Sequence, residues 1–211
     1  MTAKGMEQKI SGYHPKWWTA WGLLALLLCC APHARGQEVA VKTNILGWAS
    51  TTPNLGAEVA LSPHWTLEFT GAYNPWTFSD NKKFKHYLLR PEARYWFWES
   101  FNGHFLGAHA EFSQFNVGGT KLNPFALMLP DTDKLRHEGT FYGVGISYGY
   151  SWILSPHWSL EAQVSAGYRR VDYRSYECPR CGRPTDPADP LYSKNYFGPT
   201  KMAVSLIYMI R

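Results

Sequence analysis

The sequence is poor in charged residues and in long apolar runs. Asp, Glu, Lys and Arg make up 18% of its 211 residues, which is low for a soluble protein. The longest apolar run covers about 14 residues, too short for a comfortable transmembrane helix of about 20 residues. Gly, Trp, Tyr and Phe are instead plentiful, and this mixture favours β-structure with aromatic surfaces.

The N-terminal region has the features of a secretory signal peptide. Three lysines precede or border an apolar run at 17–30, and small residues follow that run before Gln37. A basic segment, a short apolar segment and a small-residue cleavage site are typical of such peptides. We therefore predict that residues 1–36 are cleaved and that residues 37–211 form the mature domain. An N-terminal membrane anchor is the alternative interpretation.

Cleavage would remove most of the positive charge. Residues 1–36 hold four cations and one acid, so the formal net charge falls from +5 for the whole chain to about +2. A charge this small gives no basis for nucleic-acid binding, and we expect none.

An eight-residue sequence motif occurs twice in the chain. Residues 61–68 (LSPHWTLE) recur as 154–161 (LSPHWSLE). In each copy an alternating apolar run ends, Ser-Pro-His follows, and a second alternating run begins at Trp. Because proline has no N–H donor, it belongs in a turn rather than in the middle of a sheet. Each copy therefore predicts a tight hairpin turn.

Apolar residues that alternate with a period of two predict eight strands. Their approximate ranges are 38–48, 55–61, 65–73, 87–98, 104–113, 139–152, 158–169 and 198–211. The links after the second, fourth and sixth strands are short, whereas 74–86, 114–138 and 172–197 are long and polar. Alternating short turns and long loops are typical of outer-membrane barrels. The predicted fold is all-β, an eight-stranded antiparallel transmembrane β-barrel with up-and-down topology.

Charged residues lie opposite the apolar stripe of these strands. In a membrane barrel the apolar stripe contacts lipid, and the charges fill a narrow lumen, where they must be paired. In a soluble β-sandwich, which is the alternative, the same charges would face water. The predicted lumen network comprises Glu58, Glu68, Arg90, Glu92, Arg94, His109, Glu111, Glu161 and Arg169.

Large aromatic residues lie at the strand ends next to the short turns. In membrane barrels such residues form a girdle at the lipid–water interface. The predicted girdle comprises Trp65, Tyr95, Trp152, Trp158 and Tyr208.

Five short stretches stand out along the strands and loops: 42–44 (KTN), 52–56 (TPNLG), 73–78 (YNPWTF), 91–96 (PEARYW) and 195–201 (NYFGPTK). In these stretches the chain resembles a family of outer-membrane proteins of unknown function from Bacteroides-like bacteria. These stretches extend through nearly all of residues 38–211. The resemblance implies an outer-membrane barrel with the architecture of the OmpA type, and it implies no activity.

Cys178 and Cys181 form a Cys-x-x-Cys motif and are the only cysteines of the predicted mature chain. A zinc site would need two further ligands, and His137 in the neighbouring loop is a candidate for one of them. In an oxidising compartment a local disulfide is the simpler outcome, and we favour it over metal or redox chemistry.

Two groups of loop residues suggest other chemistry. Asp131, Asp133 and His137 are residue types that outer-membrane proteases and lipid A-modifying barrels use near the outer rim, but their spacing matches neither class. Lys82, Lys83 and Lys85 could contact lipopolysaccharide phosphates, or they are simply solvated loop charges.

We therefore predict a small, non-enzymatic barrel in the outer membrane of a Gram-negative envelope. We expect a monomer without a cofactor, surrounded by membrane lipid and lipopolysaccharide. Its long loops would contact a surface protein, an appendage or another envelope component. The alternatives are a barrel enzyme acting on lipid A or peptides, and a metal- or redox-sensing surface protein centred on Cys178 and Cys181.

Overall fold

A computed structural model describes residues 38–120, 129, 131–177 and 191–210. Within these residues, eight antiparallel strands close into a barrel in which each strand pairs with the next and the last pairs with the first. The strands are β1 (Val39–Asn44), β2 (Asn54–Ser62), β3 (Trp65–Asn74), β4 (Lys83–Trp96), β5 (Gly103–Gly118), β6 (Arg136–Ile153), β7 (Trp158–Tyr176) and β8 (Tyr192–Ile210). The predicted all-β, eight-stranded meander is confirmed. The predicted signal peptide lies outside the described residues.

The barrel wall is taller on one side than on the other. Strands β5 to β8 have 16 to 19 residues each, whereas β1 has six and β2 has nine. The predicted loops 74–86, 114–138 and 172–197 are therefore too long, because β4 to β8 continue into them. Beyond the apolar band the outward side chains of these strands are polar, for example Gln114, Glu138 and Arg170, so the outward apolar stripe from which the strands are predicted ends there.

The first predicted strand, 38–48, is also too long. β1 ends at Asn44, and a short helix α1 (Ile45–Ala49) follows. The Asn44 side chain accepts a hydrogen bond from the backbone N–H of Leu46 at 3.1 Å and caps this helix. Asn54 bonds both the backbone N–H and the carbonyl of Asn44, and thereby closes the β1–β2 ladder. Among the described residues, no helix is long and apolar enough to cross a bilayer.

The two copies of the repeated motif adopt the same turn. In the β2–β3 turn, the Ser62 hydroxyl accepts a hydrogen bond from the backbone N–H of Trp65 at 3.1 Å. In the β6–β7 turn, Ser155 does the same for Trp158 at 3.2 Å. Both turns lie at the end of the barrel that also holds the β4–β5 turn, which we call the turn end. The opposite end is the loop end.

Apolar clusters occupy the lumen at both ends. The turn-end cluster consists of Ala40, Phe101, Ile207 and Met209. The loop-end cluster consists of Leu88, Phe115, Val117, Leu129, Phe141, Val171 and Tyr173. Phe101 lies in the β4–β5 turn with a positive φ of 66°, which turns its ring into the barrel and away from solvent. The charged residues of the lumen lie between the two clusters.

Candidate functional site

The lumen contains a dense group of charged side chains. All nine residues of the predicted network point inward, and none is more than 6% exposed. The strand pleat explains this placement, because every second residue of a barrel strand faces the lumen.

Three carboxylates stand side by side on neighbouring strands. The register places Glu58 of β2 opposite Glu68 of β3, and Glu68 opposite Glu92 of β4. Like charges in facing positions repel each other and destabilise a sheet. Arg94 offsets this repulsion: its Nη1 lies 3.1 Å from Glu58, its Nε lies 3.0 Å from Glu92, and its Nη2 pairs with Glu68. Its guanidinium also lies over the ring of Phe105, 4.4 Å from the ring centre.

Two lysines complete this part of the network. The Nζ of Lys42 lies 3.0 Å from Glu68 and 3.2 Å from Glu161, and it also pairs with Glu58. The Nζ of Lys201 lies 3.5 Å from a carboxylate oxygen of Glu68 and 3.5 Å from one of Glu92. The contacts of Lys201 are therefore longer than those of Lys42.

A second cluster lies nearer the loop end. Arg90 Nη2 is 2.7 Å from Glu111, and Arg169 pairs with the same carboxylate. Both arginines also donate to the backbone carbonyl of Thr200. The Thr200 hydroxyl lies 3.2 Å from His109 Nε2, which joins the histidine to this cluster.

The ion-pair network of the described lumen contains five carboxylates and five cations. The carboxylates are Glu58, Glu68, Glu92, Glu111 and Glu161, and the cations are Lys42, Arg90, Arg94, Arg169 and Lys201. A buried charge is tolerated when it is paired and hydrogen-bonded. The network can therefore link the strands of the barrel at fixed separations without a net charge of its own.

Sequence reasoning missed Lys42 and Lys201. Lys42 was predictable, because it lies in phase with the inward face of β1. Lys201 was predictable in the same way, because it is in phase with the inward-facing Ala203 and Ser205. The bulge opposite Ser165 and Ala166 changes the alternation of β8 only on the N-terminal side of Lys201, where Thr200 also faces inward.

A family model described as "Protein of unknown function (DUF3575)" matches residues 22–210. The chain belongs to this family. Among solved structures, Neisserial surface protein A (NspA) is similar to the DUF3575 chain, with 19% sequence identity and a TM-score of 0.36. The similarity covers 82% of this chain and 94% of that chain. A comparison with curated proteins gives no match.

The five residues of the predicted girdle all lie on the outer face at the turn end of the DUF3575 barrel, and each is 38–49% exposed. Trp65 packs edge-on against Tyr95 of β4, with 5.3 Å between ring centres. Trp158 packs in the same way against Tyr208 of β8, at 5.0 Å. Each copy of the repeated motif thus places a tryptophan against a tyrosine of the next strand.

The predicted loop chemistry is not assembled in the described residues. His137 was expected in a loop but lies in β6, fully buried, where its Nδ1 is 2.9 Å from the Ser175 hydroxyl. Asp131 and Asp133 do lie in the β5–β6 loop. The described residues contain no cluster of His, Cys, Asp or Glu suited to a metal ion. Cys178 and Cys181 lie outside them.

The expectation that side chains fill the lumen is wrong for one side of its loop-end half. In the loop-end half, a cavity of about 730 Å³ opens above the network on the side of the short strands. Small side chains such as Thr70 and Ala72 line it there.

Proposed function

We propose that this protein is a small, non-enzymatic outer-membrane barrel whose loops contact a partner at the cell surface. In this proposal residues 1–36 are a cleaved signal peptide and residues 37–211 form a barrel of the OmpA type. The turn end faces the periplasm, and the loop end faces the exterior. The observation that carries the proposal is the distribution of side chains across the barrel wall.

The outer face of the barrel is apolar, whereas its interior is charged. Side chains that point outward include Phe69, Ile146 and Met202, which are 53%, 70% and 70% exposed. A soluble protein rarely exposes more than a few hundred Å² of contiguous apolar surface, and its charges face water. The described barrel has the opposite arrangement, which suits a lipid environment.

A second ring of aromatic residues encircles the loop end. Its members are Tyr73, Tyr87, Tyr142, Tyr168 and Phe197, and the register pairs Tyr73 with Tyr87 and Tyr168 with Phe197. No charged side chain of the described strands points outward between this ring and the turn-end girdle. Outward charges begin just beyond the second ring, with Lys85, Glu138 and Arg170.

The distance between the two aromatic rings fits a bilayer. On β3, Trp65 and Tyr73 are eight residues apart, and on β7, Trp158 and Tyr168 are ten residues apart. At about 3.3 Å per residue and a strand tilt of about 40°, these separations correspond to roughly 20–25 Å along the barrel axis. The apolar band of an outer-membrane barrel is about 25 Å tall.

Exposed aromatic residues at the loop end support the contact role. Trp48 of α1 and Trp76 of the β3–β4 connection are 55% and 49% exposed. Trp76 is held in place, since its Nε1 donates to the Thr51 carbonyl at 3.1 Å. A fixed, exposed tryptophan is a typical anchor residue in protein interfaces.

Cysteine labelling in intact cells tests the orientation. In a chain with Cys178→Ser and Cys181→Ser, we would compare Asp133→Cys at the loop end with Glu99→Cys at the turn end. A membrane-impermeant maleimide should label the first variant in intact cells and the second only after lysis. Labelling of both variants, or of neither, in intact cells would contradict the proposed orientation.

Photo-crosslinking tests the contact role. A photoreactive amino acid at Trp76 should give an adduct of discrete mass in intact envelopes. The same residue at Trp98, which is exposed at the turn end, serves as the matched control and should not give that adduct. If the Trp76 probe gave only lipid adducts, the result would contradict a contact between Trp76 and a protein partner.

A further inference from the structure

The cavity in the loop-end half of the lumen has an ionic floor and largely apolar walls. Lys201 and Arg90 contribute to the floor, and Ala72, Phe84 and Leu88 contribute to the walls. Its volume of about 730 Å³ lies within the range of about 300–1,000 Å³ that is usual for small-molecule sites. Its lining therefore suits a molecule with one polar end and one hydrocarbon end.

The charges that line the cavity favour an anion. Five cations line it, namely Lys42, Lys82, Lys83, Arg90 and Lys201. Glu68 is the one carboxylate among the described lining residues. A cleft lined mainly by one sign of charge attracts the opposite sign, most strongly where the surrounding walls are apolar.

Two of these cations keep capacity to donate further hydrogen bonds. The ammonium of Lys201 makes only long contacts, 3.5 Å each, with Glu68 and Glu92. Within the described part of the chain, the buried Nε of Arg90 has no hydrogen-bond partner. Lys42 differs, because three carboxylates already surround it. Lys201 and Arg90 are therefore the cations best placed to receive an anionic head group.

The cavity also reaches the outer surface of the barrel. Lys201 faces inward and its neighbour Met202 faces outward, yet both line the cavity. The last residue of β1 that pairs with β8 is Asn44, opposite Ser205. Above this point β8 has no neighbouring strand on that side in the described ranges, and α1 lies beside it. If the proposed membrane location is correct, this gap opens toward lipid.

From this geometry we propose that the cavity binds one single-chain amphipathic anion, an acyl carboxylate. The carboxylate lies against Lys201 and Arg90. The hydrocarbon chain follows the walls at Ala72 and Leu88 and leaves through the gap beside Met202. The head-group chemistry does not depend on the membrane location, whereas entry through the wall rests on the proposed function.

Calorimetry on the full barrel tests this proposal. The barrel would be reconstituted in phosphatidylcholine nanodiscs and titrated with octanoate, octanol and acetate, with empty nanodiscs subtracted. We expect saturable, one-to-one binding of octanoate, binding of octanol that is weaker by about tenfold or more because it lacks the charge-assisted contacts, and no binding of acetate.

Three variants locate the site. Lys201→Gln removes a head-group contact and should weaken octanoate binding by about tenfold or more. Ala72→Phe fills the cavity without changing any charge and should abolish binding. Lys85→Gln, on the outer face and away from the cavity, is the matched control and should leave octanoate affinity unchanged. Heat-modifiable migration on a gel verifies that each variant is folded.

Three outcomes would overturn the proposal. The first is a folded barrel that binds octanoate no better than empty nanodiscs, and the second is equal binding of octanol and octanoate. The third is unchanged octanoate binding in Ala72→Phe. None of them affects the membrane proposal. A chain that fails to insert into lipid would instead contradict the membrane proposal, and titration of the same chain in amphipol would then decide the cavity proposal.

Discussion

Arg94 and Glu161 meet across the lumen, although they lie on β4 and β7, which are not neighbours in the sheet. Arg94 Nη1 lies 2.9 Å from a carboxylate oxygen of Glu161, and both side chains are buried. This contact links opposite walls of the barrel. Arg94 also neutralises the three adjacent carboxylates on β2, β3 and β4. Among the described side chains of the lumen, no other one contacts as many charges.

Replacing Arg94 should therefore destabilise the barrel strongly. Arg94→Met would leave several buried carboxylates without their shared partner, and breaking a buried pair in this way costs about 3–5 kcal/mol. Urea unfolding in lipid vesicles, followed by tryptophan fluorescence, measures the loss. The control is Arg170→Met, which removes a half-exposed arginine 3.6 Å from Asp172 and should cost less than about 1 kcal/mol. Equal losses would contradict the role given to Arg94.

Most of this network could be predicted from the sequence because a barrel strand has an exact period of two. Glu58, Glu68 and Glu92 each alternate with the residues of an apolar stripe, so the alternation alone places them on the opposite face. The cross-lumen contact of Arg94 with Glu161 could not be predicted, because it depends on the shear and diameter of the closed barrel. Shear and diameter are properties of the whole sheet, and the sequence of a single strand does not determine them.

The errors come from places where the local pattern changes without a sequence signal. Ile45 continues the apolar alternation of β1, but the caps made by Asn44 and Asn54 end the strand and begin α1. His137 lies in a polar stretch that looks like a loop, yet hydrogen bonding to β5 and β7 keeps it in a strand. In both cases tertiary contacts override the local pattern.

A charge on the outer face distinguishes a membrane barrel from a soluble one. Ile146→Lys places an ammonium in the middle of the apolar band, which costs about 2–4 kcal/mol in a bilayer. Thr140→Lys, on the same face of β6 but beyond Tyr142, should cost no more than about 1 kcal/mol. The measurement is the free energy of unfolding in lipid vesicles. If both lysines were equally tolerated, the outer face would not contact acyl chains.

The cysteine motif can be tested chemically. If the proposed envelope location is correct, we expect Cys178 and Cys181 to form a disulfide in the isolated protein, because that compartment is oxidising. Alkylation of the unfolded protein should add no mass without a reductant and two alkyl groups after reduction. Alkylation of both cysteines without a reductant, together with one bound zinc ion per chain, would favour the metal alternative instead.

Two glycines should respond very differently to the same added methyl group. At Gly167 in β7, a Cβ would lie 2.2 Å from the backbone oxygen of Val144 and 2.5 Å from the Cα of Gly145, so β6 and β7 would have to separate. Gly167→Ala should therefore cost about 1–3 kcal/mol or more, as overpacking does in other cores.

At Gly71 in β3, the nearest atom to an added Cβ belongs to Leu89 at 3.9 Å, which is an ordinary contact. Gly71→Ala should be neutral or should stabilise the barrel by up to about 1 kcal/mol, because it reduces the entropy of the unfolded chain. Unfolding midpoints in urea, measured side by side, give both values; equal midpoints would mean that β6 and β7 are farther apart than the close approach at Gly167 requires.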